Sequence, residues 1–201
     1  MTLEAVGMLA LSYLLGSIPF SYLVARRRGV DVRQVGSGNV GATNVMRSVG
    51  TAAGLAAFGL DFLKGMASSL LALRLTPEGP LPAMAAAFAM LGHMYPVWLR
   101  FKGGKGVATG AGAFLPLAAL PTAAGLLVFA AVLALTRYAS VASISGTVTL
   151  AVLAFVMGYP EAVVRAAAAA GLLVIWKHRA NLRRVAQGTE SRIGAKSRGA
   201  A

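Results

Sequence analysis

Three stretches of this 201-residue chain gather side chains able to hold and move charged groups. The first is Gly36-Ser37-Gly38-Asn39-Val40-Gly41-Ala42-Thr43-Asn44-Val45-Met46-Arg47. Its glycines let backbone N–H groups approach an anion, and Ser37, Asn39, Thr43 and Asn44 add neutral donors. Arg47 has the planar fork that grips a phosphate with two parallel hydrogen bonds. The stretch contains G-x-G-x-x-G, but an apolar helical block precedes it rather than a strand, so the dinucleotide reading fails its context. An interfacial loop holding one arginine at lipid headgroups has the same composition, and both readings stand at this point.

The second stretch runs from Gly92-His93-Met94-Tyr95-Pro96 to Phe101-Lys102-Gly103-Gly104-Lys105-Gly106-Val107-Ala108-Thr109. Lys105 lies among Gly103, Gly104 and Gly106 at the start of a helical block, where free N–H groups and the helix dipole favour an anion. The spacing is not that of a Walker A loop. His93, near the end of an apolar block, reads as a packed, hydrogen-bonded histidine. The third stretch is His178-Arg179-Ala180-Asn181-Leu182-Arg183-Arg184-Val185-Ala186-Gln187-Gly188-Thr189-Glu190. His178 and Asn181 stand three apart and share a helical face, and histidine is the natural proton acceptor near neutral pH. A basic amphipathic surface helix explains the arginines but not this pair. Asp61 and Lys64 are also three apart, inside an otherwise apolar block. Ionised groups there are costly, so they are expected to pair and support the site rather than react.

The elements that must position these residues are membrane helices. The chain is 57% hydrophobic and 12% charged, with a mean hydropathy of +0.71, too apolar for a water-soluble surface. The formal charge of +13 comes from basic residues in short strips between apolar blocks. That pattern fits loops facing anionic lipid rather than nucleic acid. Without cysteine there is no thiolate nucleophile, and no metal site is expected. The apolar blocks run Ala5–Ala25, Thr51–Leu75, Leu81–Leu99, Val107–Thr136, Tyr138–Tyr159 and Ala162–Trp176. The first ends in Arg26-Arg27-Arg28 and is kept as an anchor rather than a signal peptide. The fourth is too long for one helix and is read as two, hinged through Pro116–Pro121. This predicts an all-α integral membrane protein with seven transmembrane helices, the N-terminus outside and the C-terminus cytoplasmic. With that orientation Arg26, Arg27, Arg28, Arg33, Arg47, Arg100, Lys102, Lys105, Arg137 and seven residues from Lys177 to Arg198 lie inside, sixteen of the 19 Lys and Arg. Residues 1–201 read as a single membrane domain whose cytoplasmic loops 26–50 and 100–106 and tail 177–201 form one active site. A transporter of phosphorylated solutes is the rival class. It calls for polar residues at the bilayer midplane and on both sides, and usually for an internal repeat, neither of which the sequence offers.

Taken together, GSGNVGATNVMR (Gly36 to Arg47), DFLKG (Asp61 to Gly65), GHMYPVWLRFKGGKGVAT (Gly92 to Thr109) and HRANLRRVAQGTE (His178 to Glu190) resemble the acyl-phosphate:glycerol-3-phosphate acyltransferase family, PlsY. The resemblance implies a seven-helix fold in the bacterial cytoplasmic (inner) membrane and transfer of a fatty acyl group to the 1-hydroxyl of glycerol 3-phosphate. The product is lysophosphatidic acid, in the first step of phospholipid synthesis. It implies that Ser37, Arg47, Lys105, His178 and Asn181 are the functional residues and that Gly103, Gly104 and Gly106 form a phosphate-binding loop. Gly38, Asn39, Thr43 and Asn44 would add donors to the substrates, and Asp61, Lys64 and Glu190 would be supports. An acyl phosphate is an activated mixed anhydride, so no cofactor, metal or covalent enzyme nucleophile is expected. Partners are the two substrates, membrane lipids and the enzyme that supplies acyl phosphate, with no nucleic acid. The HxxxxD pattern of acyl-CoA-dependent acyltransferases is absent, since Trp98 and Arg183 stand five residues after the two histidines. Whether His178 or a substrate phosphate takes the hydroxyl proton is left open by the sequence.

Overall fold

In a computed structural model the described residues, 2–194, form helices joined by loops, with no strand among them. The end of the tail, with Lys196 and Arg198 of the charge count, lies outside the described residues. Helix α1 (Leu3–Ser17) starts on Thr2, whose hydroxyl accepts from the Ala5 N–H at 3.3 Å. Pro19 then forces Ile18 out of helical geometry, and the chain resumes as α2 (Phe20–Arg26). The uninterrupted block in the sequence is thus two helices. The polar stretch that follows contains a short helix, α3 (Ala42–Ser48), leading into the 25-residue α4 (Thr51–Leu75).

Helix α5 (Leu81–Met94) ends at a single 3₁₀ turn, Val97–Leu99, and the basic loop leads into the eight-residue α6 (Val107–Phe114). The chain turns over residues 115–118, where Pro116 stands, before α7 (Ala119–Thr136). Pro121 sits in the first turn of α7, where a missing N–H leaves no bond unmade. Helices α8 (Ala139–Val156) and α9 (Glu161–Lys177) follow, and α10 (Arg179–Ala186) lies beyond His178.

Small residues set the close crossings, as lipid-embedded helices require when no water drives them together. A Cβ on Gly65 of α4 would overlap the Thr109 carbonyl, and one on Gly112 of α6 the Phe62 carbonyl. The core between α5, α6, α8 and α9 is filled by Met90, Met94, Phe114, Leu150 and Val174. Outside it, Leu127 (72% exposed), Leu135 (85%) and Phe155 (72%) project from α7 and α8, a surface that suits hydrocarbon and not water. Four stretches are long and apolar enough to cross a bilayer: Leu3–Arg26, Thr51–Leu75, Ala119–Thr136 and Ala139–Val156. This is a multi-pass helical membrane protein.

One level within the bundle is set by polar contacts. Lys64, inside α4, donates to the Ile18 carbonyl (2.7 Å) freed by the α1–α2 break. Asp61 accepts from the Ser21 hydroxyl (2.6 Å) and approaches His93 near the end of α5 (3.5 Å). Asp61 is ten residues into α4, about 15 Å along it at 1.5 Å per residue. The loop that leaves α5 is therefore sunk well below the start of α4.

Candidate active site

The three polar stretches meet in a cavity of about 100 Å³ lined by Ser37, Asn39, Thr43, Asn44, Arg47, Lys105, Gly106, His178, Asn181 and Glu190, together with Ser140 and Ser143 of α8. The first loop is shaped by Asn44, which is 1% exposed. Its carbonyl accepts from the Ser37 N–H (3.0 Å), and its amide donates to the Val32 (2.8 Å) and Val35 (3.1 Å) carbonyls. Both amide ends are thereby engaged in holding the loop. Gly36 takes φ +59°, and a Cβ there would overlap the Asn44 side chain. The result is a curved loop that presents Ser37, Asn39 and Thr43 to the cavity. Arg47, one turn further along α3, donates to the Ser191 carbonyl (2.8 Å), while its Nε is buried without a partner. Burial holds its guanidinium below the usual arginine range.

From the second loop Lys105 donates to the Asn181 carbonyl oxygen. Asn181 donates in turn to Glu190 (2.7 Å), whose other oxygen accepts from Arg184 (2.7 Å). This chain orients the Asn181 amide, because its oxygen must face a cation and its nitrogen a carboxylate. Burial first, and then the charges of Arg184, Arg47 and Lys177, pull the Lys105 ammonium down to about 8, although Glu190 opposes the shift. His178 lies between α9 and α10, and its Nδ1 is 2.8 Å from the Val174 carbonyl. Since a carbonyl only accepts, Nδ1 carries the hydrogen and Nε2 the lone pair. Burial, and next the Lys105 charge, depress this imidazole to about 4, so it is neutral at pH 7.

The glycines of the second loop divide in role. Gly106, at φ +80°, caps α6 and lines the cavity. Gly104 instead donates its N–H to the His93 carbonyl (3.1 Å), and a Cβ there would overlap His93 and the Val40 carbonyl. Gly103 and Gly38 face an open groove outside the cavity that Arg33, Arg100, Lys102, Lys177 and Arg184 also line. Beneath lies the Asp61–Lys64 pair, 2.7 Å apart, with Asp61 and His93 at the cavity floor.

The polar cavity continues into an apolar one between α6, α7, α8 and α9, reaching Phe114, Thr122, Leu150 and Ala167. Phe58, Gly106, Val107, Phe129 and Ser143 line both. Sequence reasoning missed this wall. A signal existed: Ser140, Ser143 and Thr147 stand at i, i+3 and i+7 in an uncharged block, a polar stripe on one helical face. The C-terminal segment 190–193 was also missed as a connector. Ser191 accepts from Arg47 and the Ile193 N–H donates to the Arg137 carbonyl (2.9 Å), bridging α3 to the α7–α8 turn.

The family model described as "Glycerol-3-phosphate acyltransferase" matches residues 6–188. A glycerol-3-phosphate acyltransferase of Synechococcus sp. (strain CC9902) is 45% identical over 199 residues, covering 98% of this chain and 100% of that protein. One of Aquifex aeolicus (strain VF5) is 41% identical over 192 residues, covering 95% and 100%. Among solved structures, PlsY, an integral membrane glycerol 3-phosphate acyltransferase, matches in its glycerol 3-phosphate form with a TM-score of 0.92 and 42% identity, covering 95% of this chain and 96% of that one. Its lysophosphatidic acid form matches with a TM-score of 0.89 and 41% identity. A family match along nearly the whole length, and relatives above 40% identity, accord with the four sequence blocks and the cavity they build: the chain belongs to the glycerol-3-phosphate acyltransferase family.

Proposed function

We propose that this protein transfers a fatty acyl group from an acyl phosphate to the 1-hydroxyl of glycerol 3-phosphate, releasing inorganic phosphate and 1-acyl-glycerol 3-phosphate. The observation that carries the reading is the junction of the two cavities. One is polar with Arg47 and Lys105 at its wall, the other is a narrow apolar cleft of about 40 Å³, and five residues line both. A reaction joining a fatty chain to a small phosphorylated alcohol needs that juxtaposition, and a carrier for phosphorylated solutes has no use for the apolar arm.

In this reading Arg47 and Lys105 hold the phosphates, with Ser37, Asn39 and Thr43 as neutral donors. Asn181, fixed by Glu190, keeps Lys105 in place, and Asn44, Asp61 and Lys64 act by supporting the walls. The glycerol oxygen attacks the acyl carbon, the bond from that carbon to the phosphate oxygen breaks, and phosphate leaves with the electron pair. Neutral His178 accepts a hydrogen bond at Nε2 and aligns the hydroxyl. With a pKa of about 4 it is a weak base, so the proton passes to an oxygen of the departing phosphate.

The site is assigned to the cytoplasmic face of a bacterial inner membrane that the chain crosses seven times, N-terminus outside. Counting α1–α2, α4, α5, α6, α7, α8 and α9 gives seven. Helix α6, at eight residues, covers only about 12 Å. It starts from the sunken loop, however, and needs less length to reach the far side. Detergent-purified protein given acyl phosphate and glycerol 3-phosphate should make lysophosphatidic acid without any membrane gradient, and should make none from acyl-CoA. Product from acyl-CoA, or no product from acyl phosphate, would sink the reading.

A further inference from the structure

The groups given a phosphate so far lie in the first loop, α3 and the Lys105 loop. The reaction brings together two phosphorylated substrates, whose like charges repel at the distance needed for attack. A second anion site is therefore expected on a further wall of the cavity. That wall is the start of α8, within a block that carries no charge.

Ala139 and Ser140 line the polar cavity at the first turn of this 18-residue helix. Its cap residue, Tyr138, supplies no side-chain cap bond, so the N–H groups of Ala139, Ser140 and Val141 have no acceptor within the helix. They carry the positive end of the helix dipole, an arrangement that suits phosphate. An independent observation points the same way. The Ser140 side chain is 2% exposed, and its hydroxyl has no hydrogen-bond partner. A serine in a membrane helix ordinarily returns its hydrogen bond to the carbonyl four residues back, as Ser143 does to Ala139 at 2.7 Å. Ser140, in the first turn, has no carbonyl of α8 four residues back, since residue 136 ends α7; its buried hydroxyl is left without a partner, which costs free energy.

We propose that the N-terminal turn of α8, with the Ser140 hydroxyl, is a phosphate subsite that takes the phosphoryl head of the acyl phosphate, a proposal resting on the acyl-transfer reading above. The assignment to the donor follows from the same helix. Ser143, Gly146, Thr147 and Leu150 line the apolar cavity, so a fatty chain lying there runs alongside α8 for about 10 Å at 1.5 Å per residue. Ser143 is shared by both cavities and marks the level of the acyl carbonyl. Ser140 is one turn nearer the polar end, the level at which a phosphate attached to that carbonyl must lie. Glycerol 3-phosphate is then left to Arg47, Lys105 and the first loop, and α8 stabilises the leaving group as the bond to it breaks.

The test is steady-state kinetics of the full chain in detergent, each substrate varied in turn and inorganic phosphate added as product inhibitor. Ser140→Ala should raise KM for acyl phosphate about tenfold and raise the inhibition constant of inorganic phosphate in parallel, with KM for glycerol 3-phosphate unchanged. Ala139→Asp guards against a folding artefact. A carboxylate in the first turn favours the helix but repels a phosphate, so the same two constants should rise while Tm does not fall. The proposal is overturned if Ser140→Ala leaves acyl phosphate and inorganic phosphate unaffected. It is equally overturned if KM rises only for glycerol 3-phosphate, or alike for both substrates. Wild-type protein inactive with acyl phosphate would instead fail the underlying reading, a result separable from any change in the variants.

Discussion

Two polar clusters lie within reach of one cavity, each built from a histidine, a lysine, a carboxylate and neutral hydrogen-bonding groups, and they behave as opposites. In the first, Asp61, Lys64, His93 and Ser21 face one another and the Ile18 carbonyl. Asp61 is 1% exposed and Lys64 5%; Asp61 and His93 reach the floor of the polar cavity, and on the Lys64 side the remaining space is only about 10 Å³. In the second, Lys105, His178, Asn181 and Glu190 are joined by Arg47 and Arg184, so one carboxylate answers three cations. A cluster whose charges balance and whose polar groups are turned on one another is a joint between helices. One with surplus positive charge and empty space is a place for an anion.

The largest effect expected from this contrast is on stability. Asp61→Leu leaves Lys64 charged and unpaired, which should lower unfolding free energy by about 3–5 kcal/mol, read as a fall in Tm in detergent. The double variant Asp61→Leu/Lys64→Met removes both charges and should recover most of the loss. If the single variant kept the wild-type Tm, the first cluster would not be a joint.

Second in size is an effect on turnover. His178→Ala should lower kcat by about 10²-fold with Tm little changed, because an aligning acceptor at the reacting hydroxyl is lost. His93→Ala should do the reverse, lowering Tm with kcat reduced far less. Equal kcat losses in the two would erase the distinction between the clusters.

The two clusters touch at Gly104, which packs on His93 while its neighbour Lys105 enters the cavity. Gly104→Ala should therefore disturb both, lowering stability by about 1–3 kcal/mol through overpacking and raising KM for glycerol 3-phosphate more than it lowers kcat. Gly106→Ala, at a residue that lines the cavity, should shift KM with a smaller change in Tm. A Gly104→Ala protein with normal KM would uncouple the joint from the site.

The charge strips and the uncharged blocks announced membrane helices directly, because lipid tolerates so few other sequences. The break within Val107–Thr136 was legible too, since Pro116 stands at it. The break at Ile18-Pro19 was not, because a proline within an apolar run gives no polar signal until the residue that uses the freed carbonyl is known. That residue is Lys64, 46 positions away. Composition located the polar wall of the site, as glycine, arginine, lysine and histidine stand out against an apolar background. It gave no hint that Asn44 would be consumed in shaping its own loop, or that Gly104 would bond His93, since both depend on which carbonyls come near. The apolar arm was invisible for the opposite reason. Phe129, Leu126 and Leu150 look like any lipid-facing residues until the packing of α7, α8 and α9 leaves a gap among them.

The smallest effect concerns pH and bears on the surplus charge itself. Lys105 is held near 8 chiefly by burial, whereas the free amine titrates near 10.4. Its depressed value means that the charged form is disfavoured by the fold and is lost as pH rises through about 8. The stability it costs is thus recovered above that pH, but the cation that would hold a phosphate disappears. The fraction charged falls about fourfold between pH 7 and 8.5, and kcat/KM for glycerol 3-phosphate should fall by about that factor. A bound phosphate favours the ammonium, so kcat at saturating substrate should hold to a higher pH than kcat/KM does. His178, near 4, adds no change across this range. Lys105→Arg replaces the amine with a group that stays charged. If that variant keeps measurable activity, its kcat/KM should be flat from pH 7 to 8.5. A decline of the same size in Lys105→Arg would assign the titration to another group, and the charge surplus of the second cluster would then not depend on Lys105.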